Sequence, residues 1–142
     1  MAHGFVYVLG NDSMPEIYKI GRTDRHPKTR MEELSRVTAC PTPFELLAFI
    51  GCEDPQWVES EIHKALDDFR VNQAREFFRV DPWWIQDLLR QYGDPATDVF
   101  YDVFLDWEVE RYQSKEELLW KRNHFFEQCA DPIEWQTRRG FD

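Results

Sequence analysis

The first third of the chain alternates in a way that specifies short strands. Residues 5–9, FVYVL, are a β-branched and aromatic run, and 17–21, IYKIG, form a second. Between them GNDSMPE collects Gly, Asn, Asp, Ser and Pro, which is turn chemistry. The pattern predicts a hairpin with a seven-residue loop. If Leu9 and Ile17 are the last pair before the loop, Tyr7 stands directly opposite Lys19 on one face. Next, HPKTRMEELSRVT (26–38) reads as a helix with Pro27 in its first turn and Met31, Leu34 and Val37 as its apolar stripe. Arg30 lies within that stripe, four residues before Leu34, and a charge on an inward face needs a partner or a purpose.

A third strand is expected over 44–51. DPQWVESEIHKALDDFR (54–70) then has an Asp cap, Pro at its first helical position and a core stripe of Val58, Ile62, Ala65, Leu66 and Phe69. Glu59 and His63 share one flank of this helix at i and i+4. REFFRV (75–80) reads as a last short strand, and DPWWIQDLLRQY (81–92) as a helix capped by Asp81. Residues 97–112 fit two periods. Odd positions from Val99 to Val109 are apolar, as in a strand, while acidic residues at 98, 102, 106 and 110 recur every four, as in a helix; helix is the reading adopted. A further helix is expected over 114–129, opened by a Ser114…Glu117 capping box. The fold expected is α/β, a small, mainly antiparallel sheet of three to four strands flanked by helices, followed by a mostly helical extension. The boundary is drawn between residues 1–82 and 83–142.

Composition adds that this chain needs no staples. With 42% hydrophobic and 15% aromatic residues in 142, it can build a core without disulfides or a structural metal. Cys40, Cys52 and Cys129 are odd in number and lack metal-ligand spacing, so reduced thiols in a cytoplasmic protein are expected. The N-terminus lacks a charged leader and has only a five-residue apolar run, which argues against a signal peptide, and no run is long enough to span a membrane. The four tryptophans Trp83, Trp84, Trp107 and Trp120 are expected to pack in the core or at interfaces. Net charge is −10, yet residues 18–36 reverse the sign to +3. A local basic patch on an acidic body can hold phosphates, but the whole-molecule field does not steer them to it.

In their order along the chain, FVY, KIG, a helical arginine, the VESEIHK helix, RVNQ and REFF resemble the GIY-YIG nuclease superfamily, in its phage and bacterial branch. The resemblance covers residues 5–80. It departs from the family pattern at Phe5, in place of the first Gly, and at Lys19, in place of the second motif's Tyr.

That resemblance implies an endonuclease that hydrolyses DNA, most plausibly duplex, with one divalent metal, Mg²⁺ or Mn²⁺, on Glu59. It places Arg30 against the scissile phosphate. Tyr7 is expected to orient or deprotonate the attacking water, with its pKa lowered by Lys19 across the hairpin. His63 is expected to assist proton transfer, Asn72 and Glu76 to buttress the substrate, and Arg22 and Arg25 to hold flanking phosphates. The alternative is a catalytically inactive member acting as a protein-interaction module or phage- or defence-related regulator, through its acidic, aromatic C-terminal region; a non-cleaving nucleic-acid binder is a third reading. One such site cuts one strand, so double-strand cleavage calls for a homodimer or two events.

Overall fold

The computed structural model of the chain describes residues 3–37, 41–73 and 76–125. Cys40, Cys129, the side chain of Val37 and the end of the helix expected over 114–129 lie outside the described residues. The elements run β1 (Gly4–Gly10), β2 (Ile17–Thr23), α1 (Pro27–Val37), β3 (Glu45–Cys52), α2 (Pro55–Ala65), β4 (Phe77–Arg79), α3 (Pro82–Tyr92), β5 (Phe100–Tyr101) and α4 (Val103–Asn123). All strand pairings are antiparallel, in the order β4-β2-β1-β3-β5. The expected α/β class and helical C-terminal part are found, with five strands instead of three or four.

Alternation along β1 divides the core in two. Val6 and Val8 point to one face, where Ile20, Ala48, Ile50 and Phe78 meet Val58 and Ile62 of α2, Ile85 and Leu89 of α3, and Leu105 of α4. Tyr7 and Leu9 point to the other face, under Met31 and Leu34 of α1, with Phe44 and Phe49. The first face is the larger core, and it is tied across by the Tyr18 hydroxyl, which donates to Glu108 Oε2 at 3.0 Å.

Two features reset the hairpin. Leu9 pairs with Lys19 and Tyr7 with Gly21, two residues from the expected register. The strand runs on because Gly10 still pairs, with Glu45 of β3, and because the Leu47 side chain packs on it where a Cβ would come within 2.9 Å. Gly10 is therefore a strand glycine, not a turn glycine. The adjoining Asn11 is buried, donates to the Thr42 carbonyl and accepts from the Ser13 amide, which fixes the shortened turn. A bulge between Val8 and Leu9 lets β3 send both Leu47 and Ala48 into the larger core.

The α2 helix has the expected cap, with the Asp54 side chain accepting from the Trp57 amide. It ends at Ala65, before the expected residue 70. A 3-10 turn over Asp67–Phe69 changes the period, which leaves Ala65 exposed and Phe69 45% exposed, outside the expected stripe. In the segment that fitted two periods, β5 takes Phe100 and Tyr101, and α4 starts at Val103 and continues through Ser114. No separate helix begins at the capping box. Trp83, Trp84, Trp107 and Trp120 are each 43–58% exposed, so none of them is a core residue.

The chain divides after Val109 into two units. The second begins within α4, and its described part keeps Leu118, Leu119 and Trp120 exposed. No helix among the described residues is long and apolar enough to cross a membrane.

Phe78 is fully buried where β4 meets the larger core. Phe78→Ala is expected to lower unfolding free energy by about 3–5 kcal/mol, read from denaturant titration.

Candidate functional site

Glycine at the end of the KIG triplet has a steric cause. Gly21 is the cross-strand partner of Tyr7, and a Cβ there would lie 2.5 Å from the Tyr7 hydroxyl oxygen and 2.7 Å from its ring carbon Cζ. The phenol ring crosses β2 at the one residue that gives it room. Its hydroxyl lies against the Arg30 guanidinium from α1. A guanidinium only donates, so in a hydrogen bond between them the phenol oxygen is the acceptor.

The expected Tyr7–Lys19 pair is not formed: the register places Lys19 opposite Leu9. Lys19 instead holds Glu76 at 3.1 Å and lies over the Phe77 ring, 5.3 Å from its centroid. Nor is the phenol acidified. Burial, the largest influence, raises the Tyr7 pKa, Arg30 works against that, and Glu76 and Glu59 add to it. Tyr7 stays a neutral phenol at physiological pH.

The edge of β2 explains how side chains from both faces meet. β4 pairs with Ile17–Lys19, and the Ile20 amide donates to the Glu76 carbonyl; the Gly21–Thr23 half of the strand runs on beyond β4. Past that point α1 and α2, on opposite faces, both reach the edge. Arg30 approaches from α1. From α2, Glu59 approaches Arg22 Nε at 3.6 Å, with its own side chain only 13% exposed. Burial, with the nearby Glu76 adding to it, raises the Glu59 pKa to about 7 against the opposing pull of Arg22 and Lys19. Two carboxylates sharing a region of low polarity cannot both be charged without cost.

One helical turn after Glu59, His63 Nε2 lies 2.8 Å from the Ile20 carbonyl. A carbonyl can only accept, so Nε2 carries the proton and Nδ1 is left as the acceptor nitrogen. Burial lowers the His63 pKa, keeping the imidazole neutral. Arg25 forms a two-pronged pair with Glu33, which also takes Arg30 Nη1 at 3.3 Å. Asn72 is exposed on the loop that leads to β4.

Two hollows adjoin at this edge with Arg22 in the wall of both. One, of about 370 Å³, is lined by Arg22, Arg25 and Arg30 with Thr23, Asp24 and Pro55. The other, about 590 Å³, is lined by Arg22, Glu59, Ser60, His63 and Arg70. Glu33, Ser60 and Arg70 were not singled out from sequence. Glu33 was discoverable as the residue one turn after Arg30, where a carboxylate reaches a guanidinium.

As for a metal, no cluster of three or more His, Cys, Asp or Glu suited to one occurs among the described residues. Glu59, with Glu76 beside it, is the oxygen-donor set present. It fits an ion that takes most of its coordination from water and phosphate and does not fit one that demands a full protein cage.

A small antiparallel sheet with arginines and a buried glutamate gathered at one strand edge suits handling of an anionic substrate. Residues 4–93 match the T5orf172 domain, and the chain belongs to that family, which is phage-associated and related to the GIY-YIG/HNH-like nuclease-type fold. No curated protein matches the chain, and no solved structure does.

A raised carboxyl pKa weakens the fold as pH climbs from the unfolded value, 4.5, through about 7, because the folded state must then give up a proton it holds more tightly. Glu59→Gln is therefore expected to raise the melting temperature of the metal-free protein by about 2–8 °C at pH 8, and by less at pH 5. Thermal melts at the two pH values test this.

Proposed function

We propose that the protein is a metal-dependent endonuclease that hydrolyses phosphodiester bonds in DNA through a GIY-YIG-type site. The observation that carries this reading is the meeting of Tyr7, Arg30, Arg22 and Glu59 around Gly21, from two strands and two helices on opposite faces. Packing alone gives no reason for a half-buried arginine to sit against a buried phenol with a buried glutamate nearby. A phosphodiester supplies one, since it needs cations for its charge and an oriented water to attack it.

In this scheme Arg30 and Arg22 hold the scissile phosphate, with the guanidinium forks matching its oxygens. Arg25 lines the same hollow and meets a flanking phosphate once Glu33 releases it. Glu59, with Glu76 alongside, holds Mg²⁺ or Mn²⁺; bound there, the ion offsets phosphate charge and acidifies water. Tyr7 accepts from Arg30, so its own O–H is left to orient the attacking water. It acts as a neutral donor and not as the base, which follows from its raised pKa. His63 lines the groove with Glu59, and its neutral Nδ1 accepts a hydrogen bond from water. Lys19 keeps Glu76 in place.

The C-terminal acidic residues support a duplex-mimicking regulator poorly. Asp102 is taken up by Arg90 and Gln86, and Asp106 by Gln86, all within the first unit.

Supercoiled plasmid is expected to be nicked with Mg²⁺ or Mn²⁺, and both Glu59→Ala and Tyr7→Phe are expected to lower the rate by at least about 100-fold. Lack of nicking by the wild type across both metals and across single- and double-stranded DNA would sink the proposal. At subsaturating Mg²⁺ the rate is expected to rise with pH through about 7, as Glu59 loses its proton, and then to flatten. A rate independent of pH between 6 and 8 would remove Glu59 as the metal ligand.

A further inference from the structure

The face of the sheet that carries Tyr7 is only partly used by α1. In the cross-strand row that contains Tyr7, its partner on β3 is Phe49, and the partner of Phe49 on β5 is Tyr101. The Phe49 and Tyr101 rings stack at 5.5 Å with 20° between their planes. Tyr101 meets Phe104 edge-on at 6.1 Å, and Phe104 meets Trp107 at 5.0 Å. Phe104 is 43% and Trp107 58% exposed, so this aromatic run passes from a buried residue of the candidate site to solvent.

A groove of about 510 Å³ opens beside it, lined by His26, Lys28, Phe49, Tyr101 and Phe104, with Met31, Leu46 and Glu45 also on its wall. His26 packs edge-on against Phe49 at 5.6 Å. Lys28 and His26 belong to the same basic segment as Arg25 and Arg30.

From Tyr7 to Tyr101 is two strand spacings, roughly 10 Å. The arginines lie past β2, beyond Tyr7, and a strand held there reaches the rings around the N-terminal end of α1, where Arg25 lines the one hollow and His26 the groove. Stacking is tolerant of sequence and owes less to long-range charge than phosphate contacts do, which suits a protein of net charge −10.

We infer that the Phe49–Tyr101–Phe104–Trp107 run is a stacking platform for unpaired bases, and that the substrate is DNA with a single-stranded flank next to the scissile phosphate. This deepens the endonuclease reading and rests on it for the position of the phosphate. Arg25 of the arginine-lined hollow and His26 and Lys28 of the groove follow one another around the start of α1, and this basic rim favours a nucleic-acid strand over an apolar peptide.

The test compares a fluorescein-labelled blunt duplex with the same duplex bearing an unpaired oligo-dT overhang, by anisotropy with the full chain in Ca²⁺. The overhang is expected to tighten binding about fivefold or more. Phe104→Ala and Trp107→Ala are each expected to bring the two affinities together, while Tyr101→Phe retains the difference. Equal binding of the two probes by the wild type overturns the inference. So does an advantage that survives both alanine substitutions, or an equal loss on both probes. If neither DNA binds and the variants instead change self-association in sedimentation, the groove is an interface between copies and the inference fails. Nicking assayed on the same preparations separates the two readings. Overhang preference without nicking leaves the platform standing and sinks the hydrolase, whereas nicking without the preference does the reverse.

Discussion

The Tyr7 ring needs a gap in β2, and Gly21 provides it. That contact sets the rest of the site. With the ring laid across the strand, the hydroxyl comes to the sheet edge, where Arg30 reaches it from α1. Arg30 is then fixed between the phenol and Glu33, and Glu33 in turn gathers Arg25. Two arginines and a phenol are held by one carboxylate and one missing side chain. The cation beside Tyr7 is thus supplied by a helix and not by the neighbouring strand, which is why a lysine can stand in the second triplet without touching the phenol.

Charge at the edge is balanced locally. Glu59 is kept from full ionisation by burial and by Glu76, while Lys19 and Arg22 partly offset both. Such a carboxyl is responsive: with its pKa about 7 it is part-ionised near neutral pH, and an added cation shifts it toward the carboxylate. Glu76, more exposed, is tied to Lys19. The site therefore has one oxygen donor whose charge depends on what is bound.

How much of this the residues disclose depends on the range of the interaction. The hairpin, α1, the Asp54 and Asp81 caps and the two-faced alternation of β1 are written in local chemistry, and each is where its pattern puts it. The register is not local. It depends on Leu47, nearly forty residues away, packing on Gly10, and on Asn11 reaching Thr42. A glycine followed by Asn-Asp reads as a turn until those partners are known. Likewise, the inward aspect of Arg30 was visible from its spacing to Leu34, whereas the cation beside Tyr7 was misassigned to Lys19 because the register was. The 97–112 segment fitted both periods because it holds both structures: Phe100 and Tyr101 pair with β3 before α4 takes over. The capping box at Ser114 shows the opposite case, a local signal overridden by a helix already under way.

The brevity of β4 has a cost beyond the site. A half-strand whose backbone donors and acceptors face outward is a template onto which another chain's strand can add, and unrestrained it leads to fibres. Natural sheets guard such margins with charge, and here the margin carries Arg22, with Asp24 and Arg25 just beyond it. The same guanidinium that is proposed to face phosphate thus acts as a gatekeeper against polymerisation. Selection for function and selection for solubility act on this margin in the same direction.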